Sequence, residues 1–223
     1  MSDKPLEPSA QIMSLRSGAT LLAFTVVFTG LMAASFELTR EKIEASIQAE
    51  KQKQIDAILP ATRYDNALLD DAVLVPANAA LGNSDPVRVL RARKAGQPVA
   101  LVLEAAAPDG YSGRIGLILA MGQDGLLSGV RVTEHKETPG LGDYIDPQKD
   151  RNKTRPWITQ FDGKGIGQIA LEKWKVRKDG GRFDYMTGAT ISARAVTHAV
   201  GRALDFAARN QERLFSAPSG SSL

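Results

Sequence analysis

Apolar and polar positions change their spacing three times along this chain. Residues 17–36 hold twenty consecutive positions without a charge, bounded by Arg16 and Glu37. As a helix rising about 1.5 Å per residue, such a run spans the roughly 30 Å hydrocarbon core of a bilayer, and it predicts a transmembrane helix. Over residues 37–60, Leu38, Ile43, Ile47, Ile55, Ile58 and Leu59 punctuate a charged background that stops at Pro60, which predicts a juxtamembrane helix. Residues 1–16 are then an N-terminal tail. A cleaved signal peptide is the competing reading, with Ala33-Ala34-Ser35 as its small-residue cleavage site. The full length of the apolar run and the helical pattern that follows it without a break favour an uncleaved anchor.

Beyond Pro60 the spacing shifts. Residues 61–97 are assigned to a connecting region, and 60–86 are rich in Pro, Asn and Gly with one short strand at 72–75. Alternation places strands at 87–94, 99–105, 115–121 and 126–134, separated by turn chemistry at Pro108-Asp109-Gly110 and Asp124-Gly125, and so predicts an antiparallel sheet. Residues 136–168 form a long loop with one ordered turn at 157–161, and 169–177 is expected to be a further strand. From 191 to 209 the apolar residues Val196, Val200, Ala203, Leu204 and Ala207 follow the spacing of an amphipathic helix. The tail from Ser216 is expected to be disordered. The class is therefore α+β: a single N-terminal transmembrane helix, then a soluble domain, residues 98–210, with an antiparallel sheet flanked by helices, and a flexible tail at 211–223.

Composition narrows the chemistry. The net charge of +3 comes from 28 basic and 25 acidic residues scattered along the chain, which leaves no electrostatic footprint for nucleic acid. Zero cysteines exclude disulfides, cysteine-ligated iron–sulfur clusters and cysteine-linked flavin, so redox work needs an organic cofactor held another way. The two histidines, His135 and His198, have no partner at metal-ligand spacing, and no metal site is expected. No Gly-x-Gly-x-x-Gly fingerprint for a dinucleotide is present.

The most informative stretch is Asp184-Tyr185-Met186-Thr187-Gly188-Ala189-Thr190, followed at once by the amphipathic helix. Unpaired N–H groups and the positive end of the macrodipole favour an anion there, and Gly188 and Ala189 leave room for close approach. By local pattern alone the same letters also describe an ordinary N-cap. Two further blocks stand upstream: Gly110-Tyr111-Ser112-Gly113-Arg114-Ile115, and Glu137-Thr138-Pro139-Gly140-Leu141-Gly142 behind His135 and Lys136.

Together the three blocks resemble the FMN-binding domain family shared by the G subunit of Rnf ion-translocating electron-transport complexes and the C subunit of sodium-pumping NADH:quinone reductase. The first block is similar to the D-x-x-[ST]-G-A-T signature at which a flavin transferase joins FMN through its phosphate to the last threonine. The resemblance implies that Thr190 carries covalent FMN, with Thr187, Gly188 and Ala189 around it, Thr187 and Ser192 as the alternative hydroxyls, and Asp184 serving transferase recognition or phosphate positioning. It implies that Glu137, Thr138, Pro139, Gly140, Leu141 and Gly142 lie near the isoalloxazine, where Glu137 and Thr138 tune its potential. Lys136 and Arg194 are candidates to screen the phosphate, and Trp157 and Phe161 either cover the flavin or pack in the core.

Length favours the Rnf branch, with the quinone-reductase C subunit as the alternative. That branch implies an electron-transfer subunit with no catalytic residues of its own, in a complex that couples ferredoxin/NAD electron transfer to ion movement. The implied partners are other membrane and iron–sulfur or flavin subunits, a flavin transferase for maturation, and the membrane. The rivals are a cofactor-free membrane-anchored binding module and a stand-alone flavin reductase. The resemblance also implies a bacterial inner-membrane anchor with a periplasmic domain. Charge counting opposes this, because Lys4 and Arg16 precede the apolar run whereas Arg40, Lys42, Lys51 and Lys53 follow it. Large domains can translocate against local charge, so the resemblance is followed.

Overall fold

The computed structural model describes residues 10–223, so Lys4 and residues 1–9 of the expected tail lie outside the described residues. The chain divides into two units, Met1–Lys51 and Gln52–Leu223. The described residues of the first belong to helix α1, Ala10–Asp56, whose last residues fall in the second. The helix is long and apolar enough to cross a membrane. Phe24, Leu31 and Phe36 are exposed along it. The expected membrane and juxtamembrane segments are one unbroken helix, since no proline interrupts the backbone ladder before Pro60.

The second unit is built on a five-stranded antiparallel sheet of order β1-β2-β3-β4-β5: β1 Ala72–Val75, β2 Val87–Lys94, β3 Gln97–Gly110, β4 Gly113–Gly122 and β5 Leu127–Glu134. The central β3–β4 register pairs Leu101 with Met121, Leu103 with Leu119 and Ala105 with Leu117. These residues share one face and pack under helix α2, Thr190–Ser216, through Val196, Val200, Ala203, Leu204 and Ala207. Neighbours one position along, Val102, Ile118 and Ala120, point to the opposite face. There Ile55, Ile58 and Leu59, from the end of α1 and just beyond it, cover the sheet. The period-two pattern thus feeds two cores because each face has its own lid.

Two expectations fail. Residues 169–177 form no strand; short 3-10 turns stand at Leu171–Lys173 and Arg177–Asp179. Trp174 and Val176, whose spacing imitates a strand, are buried under α2, and Trp174 joins Phe161 and Phe183 in an aromatic cluster. The tail is not disordered either. Leu74 donates to Ser221 and its carbonyl accepts from Leu223, each at 2.8 Å, so the last residues lie along β1. An edge strand presents a row of unpaired backbone groups, and the tail satisfies them.

Candidate functional site

The long β3–β4 hairpin, the loop after β5 and the start of α2 meet at one place, and each brings one of the three sequence blocks. They converge on a buried carboxylate. Glu137, only 4% exposed, accepts the backbone N–H of Ser112 through Oε1 at 3.0 Å. Its Oε2 accepts the hydroxyl proton of Ser192 in the first turn of α2. The glycines beside it are required by space. A Cβ on Gly142 would stand 2.6 Å from Glu137 Oε2 and 2.5 Å from Ser192 Oγ, and one on Gly110 would stand 2.9 Å from Glu137 Oε1. The negative group lies at the positive end of a 27-residue helix, which offsets part of its burial cost.

Above this floor opens a pocket of about 240 Å³ lined by residues of all three blocks, Tyr111, Glu137, Thr138, Leu141, Gly142 and Gly188 to Ser192. The N-cap residue of α2, Ala189, offers no side-chain acceptor, so the first N–H groups of the helix have no cap. Gly188, at φ +90°, turns the chain in a conformation open to glycine and strained for other residues, and Thr190 follows on the pocket wall, half-buried. The mouth is apolar: Tyr111, Leu141 and Ile191 are 67%, 52% and 43% exposed. The arrangement offers donors and a hydroxyl within and flat apolar surface outside. An anionic group with an aromatic body fits that division.

Tyr144 stiffens the wall. Its hydroxyl accepts the N–H of Met186 at 3.1 Å and donates to the carbonyl of Ala189 at 3.3 Å. Burial pushes its pKa up to about 12, against the weaker lowering effect of the Met186 bond, so the phenol keeps its proton.

Other residues named from sequence stand elsewhere. Thr187 is exposed and outside the pocket lining, as are Pro139 and Gly140. Asp184 also lies outside it, its carboxylate 3.0 Å from Arg177 Nε. Arg194 is not free to screen an anion, because it pairs with Asp179 through Nε and Nη2. That contact holds the Asp179 carboxyl below its usual range. Phe161 is fully buried in the aromatic cluster, and Trp157 packs edge-on between Tyr144 and Phe161, which decides for core packing. His135 accepts the Glu137 N–H through Nδ1 at 3.2 Å and so supports the loop. His198 lies farther along α2, where burial lowers its pKa against the opposing pull of Asp109, and its Nε2 has no hydrogen-bond partner among the described residues. Sequence reasoning missed Tyr111, Ile191 and Tyr144. Tyr111 lay inside one of the three blocks, and Ile191 is an isoleucine off the apolar stripe of its helix, so both carried a signal.

Fold and pocket together define an FMN-binding domain, and a family model of that description matches residues 110–205. A second model, the RnfG N-terminal region, matches residues 9–58. The chain is 43% identical over 91% of its length to the G subunit of the ion-translocating oxidoreductase complex of Pseudoalteromonas atlantica, covering 92% of that protein. The G subunit from Shewanella baltica is 41% identical over 92% of this chain and 94% of its own. That of Photorhabdus laumondii is 46% identical over 84% of this chain and 87% of its own. The chain belongs to the family of G subunits of Rnf-type ion-translocating oxidoreductase complexes.

Proposed function

We propose that this protein is the subunit of an Rnf-type complex that holds FMN by a phosphoester to Thr190 and relays electrons between neighbouring subunits. The observation that carries the reading is the pocket in which the uncapped start of α2 and the Thr190 side chain share one wall. Bound FMN would supply reversible electron uptake. The protein's part is to hold and orient it.

The first N–H groups of α2 bind the phosphate, and Gly188 lets the chain turn so that the Thr190 oxygen reaches it. Attachment would form one bond between the Thr190 oxygen and the FMN phosphorus as the phosphoanhydride bond of a flavin dinucleotide breaks on the transferase; the nucleoside monophosphate leaves, and the threonine hydroxyl proton passes to a base of the transferase or to water. Ser192 is withdrawn from competition because its proton is committed to Glu137. Thr187, outside the pocket lining, lacks the helix end behind it. Tyr111, Leu141 and Ile191 offer apolar contact to the ring. Asp184, Pro139 and Gly140, outside the pocket lining, serve recognition by the transferase and the shape of the loop, while Thr138 on the wall makes polar contact with the cofactor.

Helix α1 anchors the domain at a bacterial inner membrane with the domain on the periplasmic side, and the assembled complex couples ferredoxin/NAD electron transfer to ion movement. A tethered flavin suits that setting because a cofactor lost outside the cytoplasm is not recovered.

The test uses the full chain coexpressed with a flavin transferase, denatured and viewed under ultraviolet light on a gel. Fluorescence should stay with the chain and map by mass to the peptide bearing Thr190, and Thr190→Ala should abolish it while Thr190→Ser restores it. Fluorescence released on unfolding, or retained by Thr190→Ala, would refute the assignment.

A further inference from the structure

The pocket wall at Leu141 and Gly142 leads through a 3-10 turn, Gly142–Ile145, into residues 146–156, and the chain returns in the turn Trp157–Phe161. Both ends of this excursion are tied to the segment that carries Thr190. Tyr144 bonds to Met186 and Ala189, and the Trp157 indole donates to the carbonyl of Asp184 at 2.7 Å. The Tyr144 and Trp157 rings meet edge-on with centroids 5.5 Å apart.

Between these anchors Lys149, Arg151, Lys153 and Arg155 occupy every second position, and all four are exposed. None forms an ion pair among the described residues. The Lys153 ammonium donates to the Gln148 carbonyl at 2.7 Å, which holds it without neutralising it. The one acid inside the run is turned inward: Asp150, 5% exposed, accepts the N–H of Asn152 at 2.9 Å and of Trp157 at 2.5 Å. Elsewhere on the domain three arginines have acidic partners, Arg177 with Asp184, Arg194 with Asp179 and Arg209 with Asp205, and exposed Arg63, Arg182 and Arg213 stand singly instead of in an alternating run. Four unmatched cations on a short loop repel one another, a cost that folding does not require and a complementary anionic surface removes.

We infer that residues 149–155 are a docking knob for an acidic protein surface on a neighbouring subunit of the complex. The inference rests on membership of that complex and not on a covalent flavin. Anionic lipid has the same charge, but the knob is pinned at both ends to the cofactor segment, where a redox neighbour has to approach.

In membranes holding the full complex, a water-soluble carbodiimide should couple Lys149 or Lys153 to a carboxylate of another chain, as mapped by mass spectrometry. The yield should fall as salt rises from about 50 mM to about 500 mM, where the screening length shrinks several-fold. Both lysines should resist acetylation in the complex and react in the isolated full chain. The K149Q/R151Q/K153Q/R155Q variant should keep its flavin spectrum, showing an intact fold, yet rejoin depleted membranes about tenfold more slowly. Equal acetylation with and without the other subunits, and no cross-link between chains, would overturn the inference. So would protection of both lysines by phosphatidylglycerol vesicles alone, which would assign the knob to lipid. Flavin released on denaturation would refute the Thr190 bond and leave the cross-linking result untouched.

Discussion

Helix α2 ends in two very different ways. At its C-terminus Arg91, 3% exposed, reaches across from β2 and donates to the carbonyls of Leu214 and Ala217, while its other nitrogens hold Asp71. Arg93 adds a bond to the Phe215 carbonyl at 2.9 Å and stands over the Phe215 ring. Positive charge thus meets the negative end of the helix, and orphan carbonyls are satisfied. At the N-terminus the matching negative group is Glu137, but it satisfies the Ser192 hydroxyl and the Ser112 N–H rather than capping the helix. One end is closed and bears on stability. The other has no side-chain cap, and under the proposed function its N–H groups receive the cofactor phosphate.

That contrast is easiest to break at the closed end. Arg91→Ala should cost about 3–5 kcal/mol in urea unfolding, because Asp71 and the α2 carbonyls lose their partner in a buried setting. Flavin attachment per folded molecule should be unchanged; a loss there would show that the two ends are not separable. At the open end, Glu137→Ala should cost about 1–3 kcal/mol for the stranded Ser192 and Ser112 donors. It should also lower flavin loading, with Glu137→Gln restoring most of the stability because the amide oxygen can accept the Ser112 N–H while the amide NH2 donates to the Ser192 hydroxyl oxygen. Gly142→Ala should resemble Glu137→Ala, since its methyl would occupy the space of that hydrogen bond.

A smaller effect should come from acid. His198 has a folded pKa below its unfolded value, so the unfolded chain takes up the proton first, and stability present above about pH 6.5 is lost as the pH falls. The thermal midpoint should drop between about pH 7.5 and about pH 5.5, and His198→Asn should flatten that part of the curve. The smallest change in stability is expected for Thr190→Ala, within about 0.5 kcal/mol, because half-buried Thr190 caps nothing. A larger loss in flavin-free protein would mean that the open end also serves the fold.

Much of this molecule was legible as local pattern. The apolar run of α1, the alternation of β2 to β5 and the stripe of α2 each record a single element with one environment per face. The segment around Trp174 misled because an apolar alternation of a few residues cannot distinguish a strand from a turn that buries the same side chains. The tail misled because Ser, Gly and Pro predict disorder unless an edge strand is waiting, and β1 stands far away in sequence. In the site, the three blocks were readable one by one, whereas Tyr144, which braces Ala189 and Met186 from across the loop, belongs to none of them.

By itself the sequence determined the kind of chain this is: an apolar helix, a two-sided sheet, and a threonine ahead of an amphipathic helix, all properties of neighbours in the chain. Only the tertiary structure decided that Glu137 meets Ser192 across 55 residues and that Arg91 meets the end of α2 across more than 120. A buried charge is tolerable only where folding brings it a partner, and a partner that distant leaves no periodic trace in the order of residues.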